Sequence, residues 1–324
     1  MHIIIQNNNN NFLRQRKNRS LLKPILIMNI SIYGKTPIDK SDLHCIALLI
    51  EDILKSSDKI KIWNKLYEDI KDSVPVTDKI VTFSSKQDIA DSTDILLSLG
   101  GDGTMLDTVD IVLGTDIAVL GINLGHLGFL TTAGRKDIGN IMSEISEKRF
   151  SIEQRTVLET EISFKKDQKF FAANEVCFLS ADRGSIIDLE VFINGKYLTT
   201  YSGDGVITAT PTGSTAYSLS CNGPIITPEN NCLCITPVAP HNLTFRPLII
   251  SDNDIVKIHI PDTEETCKIL IDGHLTGEYK QGDITIKKSP YKWKLVRLEN
   301  QNFFKAITNK LMWGTTPVFL SGNM

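Results

Sequence analysis

The chain has 324 residues, 41% hydrophobic and 23% charged, the proportions of a globular protein long enough for two domains. A net charge of −3 gives no electrostatic footprint for nucleic acid, and no apolar run approaches the roughly 18 residues of a membrane span. The six cysteines, Cys45, Cys177, Cys221, Cys232, Cys234 and Cys267, include no C-x-x-C pair, so they read as reduced structural thiols of a cytoplasmic protein.

Residues 1–27 contain five consecutive asparagines and several basic residues but no acids, and they lack the apolar core of a secretory signal. We expect a disordered leader or a mis-assigned start, with a fresh beginning at Met28. From there to about Phe150 strands and helices alternate. "ILIMNISIYG" reads as a strand buried on both faces. "SDLHCIALLIEDILKSS" places Leu43, Ile46, Ala47, Leu49, Ile50, Ile53 and Leu54 at helical spacing, with Ser41 as N-cap. "KIVTFS", "DILLSLG" and "IAVLGIN" read as strands, and "TMLDTVDIVLG" and "KDIGNIMSEISEKRF" as helices. Such alternation predicts an α/β domain built on an open, mostly parallel sheet.

From Ser151 the period shortens to two. Runs such as "LETEISFK", "IIDLEVFINGKYL", "CLCITPVA", "IVKIHIP" and "WKLVRLE" are short and rich in β-branched residues. Asn194-Gly195, Asp272-Gly273 and Gln281-Gly282 supply turn chemistry between them. This predicts an all-β, sandwich-like C-terminal domain. The tail "NFFKAITNKLMWG" is helical again and is expected to return to the first domain. We place the α/β domain at residues 28–130 plus about 300–324, and the mainly β domain at 131–299.

"SLGGDGTMLDTV", Ser98 to Val109, puts Gly100, Gly101 and Gly103 around Asp102 where a strand gives way to a helix. Ligands of open α/β sheets bind at such strand ends, and bare N–H groups at a helix start suit phosphate oxygens. The spacing is neither that of a P-loop nor the dinucleotide fingerprint G-x-G-x-x-G. Asp102 either caps its own turn or faces a metal or a substrate hydroxyl, whose proton it could accept.

"GGDGT" resembles the motif of a kinase superfamily that includes NAD kinases, diacylglycerol and sphingosine kinases and, more distantly, 6-phosphofructokinases. "DGVITATPTGSTAYSLSCNGPII", Asp204 to Ile226, closely resembles the long signature of NAD kinases. Its own chemistry fits a ligand site: Thr210, Thr212, Ser214, Thr215 and Ser218 bring hydroxyls, and Tyr217 a ring and an O–H. Asn174-Glu175 matches that family's Asn-Glu pair for adenine and ribose. "GINLGHLGFLT", Gly121 to Thr131, resembles its interdomain stretch, whose glycines suit a hinge or a close pass to phosphate, with His126 structural. "PHNLTFRPLII", Pro240 to Ile250, resembles another block, with Arg246 read as a fold determinant. The likeness runs from about Met28 to the C-terminus.

The resemblance implies transfer of the terminal phosphoryl group of ATP, or another donor such as polyphosphate, to the 2′-hydroxyl of the adenosine ribose of NAD, giving NADP. Asp102 is then the proton acceptor, and Gly100, Gly101, Gly103 and Thr104 hold the donor phosphates. NAD contacts fall to Asp102, Gly103, Asn174, Glu175, Ser185, Asp204, Thr212, Thr215, Ala216, Tyr217, Ser218, Leu219, Ser220 and His274. The cofactor implied is a divalent cation, Mg²⁺, with no protein ligand assigned. The partners implied are NAD and ATP, neither nucleic acid nor membrane, and a homo-oligomer, dimer or tetramer. Ser202 and Asp107 stand where relatives carry other, including basic, residues. His274 replaces a glutamine, Ser185 a basic residue, and Asn222 a glycine, which suggests a left-handed backbone there. Two rivals are a lipid kinase of the superfamily and a non-catalytic dinucleotide sensor.

Overall fold

A computed structural model describes residues 28–313 except 58, 126–127, 166–167, 183 and 300–301. The expected leader, His126 and the last eleven residues therefore lie outside the described residues.

The first domain is built on a sheet ordered β3-β2-β1-β4-β5-β20-β7. Its strands are β1 (Ile30–Gly34), β2 (Ile60–Trp63), β3 (Ile80–Phe83), β4 (Ile95–Leu99), β5 (Ala118–Asn123), β7 (Phe150–Arg155) and β20 (Trp293–Leu298). A short β6 (Ala133–Gly134) pairs with β5. All these pairings are parallel except that of β20 with β7. Every residue of β4 and β5 is buried, as a parallel strand covered on both faces requires. Ile95, Leu97 and Leu99 point to one core, shared with Ile46, Leu49, Ile50 and Ile53 of α1 (Lys40–Ser56) and Ile138, Ile141 and Ile145 of α4 (Ile138–Ser146). Leu96 points to the other, with Met105, Val109 and Val112 of α3 (Asp102–Val112) and the buried Trp293.

The cap of α1 differs from expectation. Asp39, not Ser41, is the N-cap, and its side chain accepts from the Ser41 N–H at 2.9 Å. A carboxylate gains more than a hydroxyl from the positive end of the helix.

The second domain is a sandwich of two six-stranded sheets. One is ordered β12-β11-β16-β19-β8-β9: Lys196–Gly203, Ile187–Ile193, Val256–Ile260, Gly282–Lys288, Leu158–Ile162 and Lys169–Ala172. The other is ordered β15-β14-β13-β10-β17-β18: Leu248–Ser251, Cys232–Val238, Gly205–Ala209, Glu175–Ser180, Cys267–Ile271 and His274–Tyr279. Leu158, Val176, Phe178, Leu189, Val206, Ile235, Ile258 and Ile284 fill the space between them. Both residues of Asn194-Gly195 and of Asp272-Gly273 have positive φ, the geometry that joins two-residue hairpins.

The boundary drawn at residue 130 sits too early, and the one near 300 too late. Ala133–Gly134, α4 and β7 belong to the first domain, because the apolar side of α4 covers the α1 core. "WKLVRLE", read as a strand of the second domain, is β20, hydrogen-bonded between β5 and β7. As expected, the tail comes back as α6 (Phe303–Lys310): Phe303 and Ala306 line a small cavity with Gly128, Phe129 and Arg297, and Lys310 Nζ lies 5.1 Å from the centre of the Phe129 ring.

Candidate active site

β4 ends at Leu99, and the chain turns at once into α3. Gly100 makes the turn with φ +152°, and a Cβ there would meet Thr104 Oγ1 at 2.3 Å, so only glycine fits. Thr104 is buried under this turn. A Cβ on Gly101 or Gly103 would meet nothing within 4 Å, so packing does not dictate these two glycines.

Asp102 opens α3, but its carboxylate does not cap its own helix. Oδ2 accepts from Phe129 N–H at 2.7 Å, and Oδ1 from Leu130 and Thr131 N–H at 3.2 and 3.3 Å. The Gly128–Thr131 stretch, read from the sequence as a hinge or a phosphate contact, thus grips the aspartate. A carboxylate has about four lone-pair positions, so three amides fix its plane and leave one to receive a proton.

The Asn174-Glu175 pair is held by a residue the sequence marked only as a turn. Asp272 accepts from the N–H groups of Ala173, Asn174 and Glu175 at 2.7–3.0 Å. Burial pushes Asp272 up to about 6, against the pull of those three amides. Glu175 is itself buried, and burial and the charge of Asp272 push it up to about 8, opposed by the Tyr217 N–H. Its Oε2 finds no partner among the described residues.

The Thr-Pro-Thr-Gly-Ser-Thr segment follows β13. Thr210 donates its N–H to Asn174 O at 2.8 Å and its hydroxyl to Ala173 O at 2.5 Å, which binds the two motifs together. Thr212–Thr215 make a 3₁₀ turn and Tyr217–Ser220 the short helix α5. Cys221, just after α5, packs with Cys177 of β10 and with Ile207 and Ala209 of β13. Ser214 and Ser218 are fully buried; Ser214 bonds Pro211 O, and Ser218 faces the Thr236 hydroxyl at 2.8 Å. Packing thus takes the Ser218 hydroxyl. Tyr217 and Ser220 are exposed, while Thr215, Ala216 and Leu219 are half-buried.

Further along, β10 separates two groups of predicted residues. Asn174 and Glu175 lie at its start, while Ser180 N–H bonds Asp204 O and the Ser180 hydroxyl meets that of Ser185 at its end. Five steps of strand span about 16 Å. His274 lies near the start: its Nε2 is 3.6 Å from Oδ1 of Asp107 on α3, a contact between the two domains.

An ion-pair cluster that sequence reasoning missed sits behind Asp102. Arg297 donates Nε to Glu153 Oε2 at 2.9 Å, and its other nitrogens donate to the carbonyls of Leu130 and Phe129 at 3.2 and 3.4 Å. Glu153 also receives Arg155 at 2.5 Å, and Arg155 reaches Thr212 Oγ1 at 3.5 Å. Burial raises Glu153, yet Arg297 and Arg155 together hold it below the ordinary carboxylate value. Burial and the neighbouring Arg297 bring Arg155 down to about 10. No motif signals this cluster, because it depends on β20 pairing with β7.

Comparison with known proteins identifies the assembly. The profile of the ATP-NAD kinase N-terminal domain matches residues 3–150, and that of the ATP-NAD kinase C-terminal domain residues 173–298. The chain belongs to the ATP-NAD kinase family. An NAD kinase of Flavobacterium psychrophilum is 38% identical over 291 residues, covering 89% of this chain and 98% of its own. One from Bacteroides fragilis is 34% identical over the same shares. A yeast NADH kinase, solved with NADH, superposes with a TM-score of 0.79 at 29% identity, over 89% of each chain. An Archaeoglobus fulgidus NAD kinase solved with ATP shares the fold, with a TM-score of 0.66 and 22% identity over 88% of this chain and 99% of that one.

As an NAD kinase, the protein transfers a phosphoryl group to NAD, with ATP as co-substrate. Two departures from the family's usual residues have structural partners. Ser202 donates its hydroxyl to Asp188 on the paired strand, and Asp107 lies by Tyr33, whose hydroxyl burial and the Asp107 charge push up to about 12. Asn222 takes φ 62°, the left-handed backbone expected where relatives place glycine. Arg246 braces its own loop by donating to Leu243 O and Phe245 O at 2.7 Å. Among the described residues no helix is long and apolar enough to cross a membrane, and no group of three or more His, Cys, Asp or Glu could hold a metal ion.

Proposed function

We propose that Asp102 takes the proton from the 2′-hydroxyl of the adenosine ribose as the terminal phosphoryl group of ATP is transferred to it. The observation that carries this is the three-amide grip on the carboxylate at the start of α3, beside two glycines facing open space. The bare backbone of Gly100, Gly101 and Gly103 holds the donor phosphates at the positive end of the helix, with Thr104 supporting the turn from below. With both reactants fixed, positioning and electrostatics supply most of the rate.

Asn174 and Glu175 receive the adenosine, beside His274 and the exposed Tyr217 ring. Asp204 and Ser185, at the far end of β10, suit the distal part of an extended dinucleotide. Thr212, Thr215, Ala216, Leu219 and Ser220 form the wall between, while Ser218 supports it from inside. In this division residues 28–155 with β20 and α6 serve the donor, and the sandwich serves NAD. The divalent cation, Mg²⁺, arrives on the ATP phosphates as part of the substrate and offsets charge there; magnesium keeps several waters and needs few protein ligands. We further propose a homo-oligomer acting in the cytoplasm, where the six free cysteines stay reduced.

A coupled assay for NADP formation tests this, with NAD or NADH as acceptor and ATP, other triphosphates or polyphosphate as donor. Turnover by Asp102→Asn equal to the parent's overturns the proton-acceptor role. Sedimentation of the full chain reads the oligomeric state.

A further inference from the structure

We propose that Arg297 is a positioning residue for phosphoryl transfer, acting on Asp102 through the peptide planes of residues 129–131. The proposal rests on Asp102 being the proton acceptor.

The geometry is specific. The Phe129 carbonyl and the Leu130 N–H belong to one planar peptide unit, and the Leu130 carbonyl and Thr131 N–H to the next. Arg297 holds the carbonyl end of each unit, and Asp102 Oδ1 receives the N–H end of each. Because a peptide unit is rigid, fixing one end fixes the direction in which the other points. The guanidinium also polarises both units toward the carboxylate, as hydrogen bonds in series do. The aspartate is therefore aimed from behind by a side chain that never touches it.

Arg297 is in turn held on its third side. Leu295 pairs with Glu153 across β20 and β7, so Arg297 and Glu153 are diagonal neighbours on one face. Only 11% of the Arg297 side chain is exposed, so water competes weakly for its donors. The task needs a planar fork with donors on three sides, which lysine lacks. Through Glu153 and Arg155 the same cluster reaches Thr212, so one carboxylate registers the Asp102 grip against the segment assigned to NAD.

The test uses the full chain with saturating NAD, ATP and Mg²⁺. Arg297→Gln and Arg297→Lys should each lose about 10- to 100-fold in kcat, with KM for both substrates within about twofold, as expected for a displaced catalytic group. Millimolar guanidinium should restore part of the turnover of Arg297→Ala, whereas ammonium should not. This rescue also keeps the test decisive if that variant is less stable. In combination with Asp102→Asn, Arg297→Gln should cost nothing further, since both act through one carboxylate. Unchanged kcat, a rise confined to KM, or losses that add fully in the double variant overturn the proposal. Parent-like turnover by Asp102→Asn alone instead removes the reading on which it rests.

Discussion

Gly128 and Asp102 touch so closely that a Cβ on the glycine would lie 1.6 Å from the aspartate Oδ1. Even alanine at 128 must push the carboxylate away from its amides or move the loop. Gly128→Ala should cost about 1–3 kcal/mol of stability as overpacking and lower kcat by at least about 10²-fold. Thermal denaturation and initial rates on the same preparation read the two effects separately.

Asp102→Asn keeps the shape but replaces one carboxylate oxygen with a donor facing donors. Loss of a positioned base typically costs about 10²–10⁴-fold, and that is the fall in kcat expected here. NAD binding by calorimetry should stay within a few-fold of the parent.

Asp272→Ala removes the acceptor of three N–H groups at Ala173–Glu175. A buried donor left unpaired costs about 1–3 kcal/mol, and the loosened Asn174-Glu175 corner should raise KM for NAD more than it lowers kcat. A kcat defect with unchanged KM would show that Asp272 serves the chemistry rather than the binding corner.

Glu175 gives a pH dependence of known sign. Its folded value of about 8 exceeds the ordinary 4.5, so the fold favours its protonated form. That contribution to stability is complete below about pH 4.5 and is lost as pH rises through about 8. Asp272, raised to about 6, acts in the same direction at lower pH. The melting temperature of the ligand-free protein should therefore fall between about pH 5 and pH 8, and Glu175→Gln should flatten the upper part of that fall.

Chelating the divalent cation should stop NADP formation without lowering the melting temperature, and added Mg²⁺ should restore it. No group of three or more metal-binding side chains among the described residues ties the fold to a metal. A large drop in melting temperature on chelation would reveal a structural metal instead.

Much of this protein is legible in its sequence because local patterns carry it. The buried strands β4 and β5, the amphipathic α1 and the Asn-Gly and Asp-Gly hairpins all follow from spacing and turn chemistry. Two kinds of feature escaped. Short elements without punctuation were missed: "KIKIW" runs straight from β2 into α2 (Asn64–Ile70), and the exposed edge strand β18 lacks an apolar alternation. Long-range pairings were missed too. Period-two "WKLVRLE" looks like any sandwich strand, and nothing local says that it enters the first sheet. At the site, the resemblance pointed to Asp102, Asn174 and Glu175. The groups that hold them, Gly128–Thr131, Asp272 and Arg297, come from chain segments that only the tertiary fold brings near.

The place of β20 also sets an order of events during synthesis. It lies between β5 and β7, although the whole sandwich is translated before it. A nascent chain that has not yet released Leu298 from the ribosome has an open slot in its first sheet, and its aspartate grip lacks the guanidinium behind it. Closing that slot brings together residues 168 positions apart, Phe129 and Arg297, a loop whose ends meet only once the intervening domain has compacted. Premature termination within the sandwich would therefore leave the first domain without the strand that sits between β5 and β7. On the proposed role of Arg297, catalytic competence would wait for β20 to be made and docked.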